Sequence, residues 1–426
     1  MAQAFINARI IDPYSKTDEI GGLLIENNKI IAIGKDVTAN NLGSDIEIID
    51  IEGKAILPGL VDFRCEIPDP GFEAKGSLSS ESKAALAGGI THLALLPTTE
   101  PAIDNPAMVT YMIERAEKRQ GPKISTWGAV TKNNEGTDLA ELGLMQKEGA
   151  IAFTDGHKTI QNAAVLRRAL QYASGFGAFI AQHPMDINLG KGDMNAGSLA
   201  NRLGLSGMSW QAEVIIIERD LRILEMAGGS LHFNHISCAA SVDVIRKAKA
   251  KGMNVTCDTA PPYFALNEMD VGDYRTFTKL NPPLRTEDDR LAIIEGLKDG
   301  TIDFIASDHI PQDEEAKRLP FDQASFGGVG LESLLPITLE LYHNKQLSLL
   351  DALALITYKP AQRLKIDAGR LSKDGPAHFI VIDLDKGWVF NDKNLHSRSR
   401  NSPFGGRLVQ GVVLQTFIDG KNLYPY

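Results

Sequence analysis

At 426 residues, with 43% hydrophobic and 23% charged residues, the chain has the composition of a soluble globular protein. Its formal net charge of −10 argues against nucleic acid and anionic membranes as partners, because both select basic surfaces. Cys65, Cys238 and Cys257 are scattered thiols without CxxC spacing, so neither a disulfide framework nor a cysteine zinc site is expected. No apolar run approaches about 20 residues, and Met1-Ala2-Gln3-Ala4-Phe5 lacks the form of a signal peptide. The expected location is cytoplasmic.

Residues 1–56 carry short alternating apolar runs, Ala4–Ile11, Gly22–Glu26 and Lys29–Ile33, separated by turn residues such as Glu26-Asn27-Asn28-Lys29. That pattern predicts β-hairpins. Residues 366–426 behave alike in Phe379–Leu384 and Gly411–Ile418. Strand-rich ends around a long middle predict one small β-sandwich built from both termini.

The middle, residues 57–365, alternates between short apolar runs and segments rich in helix formers. The runs number eight: Leu60–Ile67, Thr91–Pro97, Lys123–Val130, Ala150–Asp155, Ala178–His183, Ser230–Ser237, Asn254–Ala260 and Asp303–His309. Between them lie stretches such as Glu81–Ala87 and Ala163–Ala173. This alternation predicts βα units, a parallel sheet and an α/β fold of the (β/α)8, or TIM, barrel type. In such a barrel the chemistry sits at the C-terminal ends of the strands.

The stretch Gly59-Leu60-Val61-Asp62-Phe63-Arg64-Cys65-Glu66-Ile67-Pro68-Asp69-Pro70-Gly71 reads as a buried strand delivering side chains to a loop. It resembles the Asp-x-His-x-His-x-Arg-x-Pro-Gly motif of the cyclic amidohydrolases, and of dihydroorotases above all. Asn281-Pro282-Pro283-Leu284-Arg285, Ser307-Asp308-His309-Ile310-Pro311, Gly327–Leu331 and Leu395–Asn401 are similar to later signatures of that family. Their order and spacing cover nearly the whole chain, and the match is nearest to the longer, aspartate-transcarbamoylase-associated branch.

The resemblance implies His183, His235 and Asp308 as metal ligands, with Asp308 also the proton-shuttling base. It equally marks departures. Arg64 and Glu66 stand where relatives have two zinc-binding His, and a guanidinium cannot ligate. An ion pair between Arg64 and Glu66 is the expected alternative. The bridging ligand of relatives falls at Gly156, leaving Asp155 as the nearby carboxylate. Among substrate-contacting positions Asn281 survives, but Pro68 replaces an Arg that would pair with a carboxylate. Thr98 and Glu100 replace amides, Tyr263 replaces a His, and Gln312 replaces the loop His.

With so many groups changed, the resemblance points to a non-catalytic, dihydroorotase-like subunit in an oligomeric assembly with the aspartate transcarbamoylase catalytic subunit in pyrimidine biosynthesis. No cofactor is expected on that reading, and Arg64 would supply Asp308 with the cation that a metal supplied. The alternative is an active zinc-dependent dihydroorotase or other cyclic amidohydrolase, with a single weakly bound zinc held by His183, His235 and an acid. Trp210 and Phe326 are candidate exposed apolar groups near the barrel loops.

Overall fold

A computed structural model gives the fold and describes residues 2–425. The barrel strands are Leu60–Cys65, Ile90–Leu95, Lys123–Thr126, Phe153–Thr154, Ile180–Gln182, Leu231–Phe233, Val255–Thr259 and Phe304–Ile305. Each lies within one of the eight apolar runs or overlaps it closely. Neighbours pair in parallel throughout. Single parallel bridges, Gly128 to Phe153 and Cys65 to His309, join the two arcs of the sheet and close the ring.

Helices follow the strands as the composition predicts, among them Leu78–Ala87, Pro106–Glu117, Ala163–Ser174, Gln211–Ala227, Ala239–Ala250 and Glu287–Lys298. Local chemistry sets their starts. Ser77 and Thr286 open theirs with reciprocal capping boxes, while Pro106 follows the capping Asn105 at the first helical position.

The barrel interior is apolar in its lower part. Val61, Phe63, Ala94, Trp127, Ala152, Phe179, Ala181, Phe304 and Ala306 form one buried cluster, drawn from strands one to five and eight and the residues flanking them. Phe63 lies 4.3 Å from Phe304 and 5.2 Å from Trp127 between ring centroids. Ala361 and Leu364, on the helix Tyr358–Leu364, complete the cluster, and Arg363 stacks over Phe179 at 3.8 Å.

The terminal segments form a single eight-stranded sheet. Phe379–Ile382 pairs antiparallel with Ala55–Pro58, which stitches C-terminal strands to N-terminal ones. Phe5, Phe379 and Phe417 pack within 5.1 Å of one another at its core. Three loops after strands five, seven and eight join above the barrel, where Met194, Leu199, Ala200, Val271 and Phe321 form a small separate core. Among the described residues no helix is long and apolar enough to cross a membrane.

Candidate functional site at the barrel mouth

The strand ends gather the chemistry-bearing residues as the barrel predicts. Arg64 lies on strand one, and His183 follows strand five directly. His235 lies two residues past strand six and Asp308 three past strand eight. All four are at most 5% exposed. His235 and Asp308 both adopt left-handed backbone, at φ 55° and 49°, a conformation that costs a non-glycine residue and often marks functional sites.

A bulge aims Arg64. The pairing of strand one with strand two slips between Asp62 and Cys65. Phe63 therefore joins the barrel core, Cys65 joins the outer layer, and Arg64 between them reaches the mouth. The strand is pinned below by Asp62, whose carboxylate accepts from the Ser307 backbone N–H at 2.8 Å and from its hydroxyl at 2.5 Å. Burial drives the Asp62 carboxyl up to about 6 even so.

Arg64 Nη2 lies 3.8 Å from Asp308 Oδ1 and 3.2 Å from His157 Nδ1. The expected direct pair of Arg64 with Glu66 is replaced by a three-membered chain. Glu66 Oε2 meets His157 Nε2 at 2.8 Å, and the imidazole stands between the two. His157 escaped the sequence reading, although it ends the same run, Phe153-Thr154-Asp155-Gly156-His157, that supplied Asp155. Its position just past a strand end was the available signal.

The nearest cation to Asp308 is His235, with Nε2 at 2.8 Å, rather than Arg64. The other ring nitrogen of His235 is 2.8 Å from Asp258, whose second oxygen is 3.0 Å from His232. Burial and the Arg64 charge oppose protonation of His235, but Asp308 and Asp258 outweigh them and raise its pKa. Burial likewise opposes ionisation of Asp308, yet His235 and Arg64 hold its carboxyl below the usual range. Asp258, inside the seventh run, was the other missed participant.

His183 is different. Both its ring nitrogens are buried without a partner, and burial, then Arg64, push its pKa down to about 3. Asn234 beside His235 is fully buried with both amide atoms unpartnered, and Asn281 keeps an unpartnered Oδ1. Tyr263 donates its hydroxyl to the Pro282 carbonyl at 2.9 Å, with its ring 6.4 Å from that of His235.

Several sequence expectations need correction. Asp155 does not enter the site. Its Oδ1 accepts from the N–H groups of Val130 and Thr131, both at 2.9 Å, and its Oδ2 from the Thr131 hydroxyl at 2.6 Å. Gly156 has φ +68°, and a Cβ there would lie 2.4 Å from Thr98 Cγ2. The Thr98 side chain thus occupies the space that a side chain at position 156 would need. Glu100 is exposed, and Pro68 is buried, its carbonyl capping the Phe72 N–H at 2.8 Å. Phe326 is half-buried over the Lys279 ammonium at 4.8 Å, whereas Trp210 is exposed.

These residues do not fit the two-metal centre that the motif frame implies. Arg64 lies where the motif has its first ligand, Asp155 is engaged by the Val130 and Thr131 donors, and Gly156 offers no side chain. Among the described residues no group of three or more His, Cys, Asp or Glu is placed to hold a metal ion.

Comparison with known proteins places the chain. Residues 53–241 match the family described as dihydro-orotase-like, and residues 211–423 match the amidohydrolase family. A dihydroorotase of Ehrlichia chaffeensis is 43% identical over 99% of this chain and 94% of its own length. A dihydroorotase of Syntrophotalea carbinolica is 42% identical over 98% of each chain. In fold, the chain is similar to the L-hydantoinase (dihydropyrimidinase) of Arthrobacter aurescens, with a TM-score of 0.88 and 24% identity over 99% of this chain and 96% of that one. The full-length match, the ring of eight parallel strands and the order of the strand-end motifs agree: this chain belongs to the dihydroorotase family of amidohydrolases.

Proposed function

We propose that this chain is a dihydroorotase-family protein whose barrel mouth has given up metal-assisted hydrolysis, and that it acts as a structural partner of the aspartate transcarbamoylase catalytic subunit. One observation carries the first half: the Arg64 guanidinium, 1% exposed, lies against Asp308 and His157 where the family motif has a metal-binding His. A permanently charged side chain there neutralises the retained carboxylates without a metal. It also repels any second cation. The partner follows from the full two-domain frame kept without the chemistry, and from the likeness of the later motifs to the transcarbamoylase-associated branch.

A second reading has its own support. The relatives at 43% and 42% identity are called dihydroorotase, and the two free nitrogens of buried His183 suit a ligand. On that reading the chain hydrolyses a cyclic amide at one metal.

Two measurements separate them. After dialysis against a chelator, the purified chain is expected to hold less than one transition metal and to show no dihydroorotase turnover. One or two retained zinc ions with turnover in the ordinary range of about 1–10³ per second would establish the second reading. Co-expressed with the transcarbamoylase of its own organism, the chain is expected to purify as one assembly containing several copies of each. Two species that separate at every salt concentration would defeat the assembly role.

A further inference from the structure

A cleft of about 460 Å³, within the size range of small-molecule sites, is lined by Gln312, in the loop after strand eight, and by the 398–401 segment. Its basic lining residues, Lys317, Arg318, Arg398 and Arg400, outnumber the acidic ones, Asp313 and Glu314, on a chain whose net charge is −10. Concave basic surface on an acidic protein focuses anions, because low-dielectric walls concentrate the field.

The cleft is built, not incidental. Arg398 and Arg400 are exposed and alternate with buried Ser399 and Asn401, and all four line the cleft. The buried residues tie that wall down. Ser399 donates to the Lys75 carbonyl at 2.5 Å, and Asn401 donates to the Gly327 carbonyl at 2.9 Å. Asn401 Oδ1 in turn accepts from the Gln312 backbone N–H at 3.3 Å.

The acids are already committed: Asp313 caps its helix through the Ala316 N–H at 2.8 Å, and Glu314 pairs with Arg318. Lys317 donates to the carbonyls of Thr276, Lys279 and Ser325 at the buried edge. The guanidinium groups of Arg398 and Arg400 have no anionic partner among the described residues, although the Arg398 backbone N–H donates to Glu81 at 3.3 Å. Gln312, 8% exposed, lines the same cleft with Oε1 buried and unpartnered. An acceptor left this way costs stability unless a donor arrives.

We infer that this cleft binds a small polyanion that also carries an O–H or N–H donor, with Arg398 and Arg400 pairing to the anionic group and Gln312 Oε1 accepting from the donor. Guanidinium forks suit phosphate or carboxylate oxygens bidentately. A cleft of this volume suits a small molecule better than a protein segment. The inference goes beyond the assembly role and holds whether or not the strand-end site is catalytic.

Calorimetric titration of the full chain at fixed ionic strength tests it, with pyrophosphate as a bare polyanion and ribose 5-phosphate as one bearing hydroxyl donors. Both are expected to bind saturably at one site per chain. The double variant Arg398→Gln/Arg400→Gln is expected to weaken both at least tenfold with an unchanged melting temperature, since both side chains are exposed and unpaired. Gln312→Leu is expected to weaken ribose 5-phosphate and spare pyrophosphate. No saturable binding of either probe, or equal affinity in the double variant, would overturn the inference. Binding of poly-glutamate that pyrophosphate fails to displace would overturn it too, in favour of an acidic segment of a protein partner.

Discussion

The two halves of the barrel interior share the same strands and solve opposite problems. Below, Phe63, Trp127, Phe179 and Phe304 fill the ring with apolar volume, and their contacts need no partner beyond shape. Above, Arg64, His235 and Asp308 are as deeply buried, with Glu66 nearly so and His157 half-buried, yet each depends on a charge on another strand. Phe63 and Arg64 are adjacent in sequence and sit on opposite sides of this divide. His232 connects the halves: it stacks on Phe304 at 5.3 Å and reaches Asp258, which holds His235. The difference teaches where tolerance lies. The lower half should fail by losing volume, and the upper half by losing a counter-charge.

The largest effect is expected below. Phe63→Ala removes a fully buried ring with four aromatic neighbours, and should cost about 3–5 kcal/mol in urea denaturation. A cost under about 1 kcal/mol would mean that the ring core does not hold the barrel together.

Arg64→Met comes next, because it preserves volume while stripping Asp308 of a cation. Breaking a buried pair costs about 3 kcal/mol, and adding Asp308→Asn should recover part of it. Simple additivity of the two changes in a double-mutant cycle would show that Arg64 and Asp308 are not coupled.

A smaller cost is expected for Gly156→Ala, of about 1–2 kcal/mol from the left-handed backbone, plus the clash with Thr98. Thr98→Ser removes the clashing methyl and should return only the steric share. A neutral Gly156→Ala would reopen this position to a bridging ligand.

The mildest test is a pH slope. His92 lies on strand two, 3.0 Å from the Ser125 hydroxyl, and burial, then the charge of His378, lowers its pKa to about 4. The unfolded chain takes up this proton near the ordinary value of about 6.5, so it binds more protons than the folded one between the two values. Stability contributed by neutral His92 is therefore present above about 6.5 and lost as pH falls towards about 4. His92→Gln should flatten that part of the profile without moving the effect of Arg64→Met. An unchanged profile would place the acid sensitivity elsewhere, with the charged residues of the mouth as the next suspects.

Much of this was legible in the chain. Short apolar runs alternating with helix formers specify strands and helices locally, and all eight barrel strands fall where those runs predict. Arg64, His183, His235 and Asp308 follow from motif order, because a βα unit puts the residue after each strand at the same end of the barrel. The pairings among them did not follow. Ser307 meets Asp62 across 245 residues of sequence, a contact made only when the ring closes.

Ring closure also decided that His157 would stand between Glu66 and Arg64, and that Asp155 would turn to the Val130–Thr131 backbone. A one-residue bulge in strand one decided that Arg64 would face the mouth while Phe63 filled the core. The physical reason is one of range. Side-chain periodicity is set by each residue's near neighbours along the chain, whereas the partner of a buried charge is set by whichever strand the fold brings within about 4 Å.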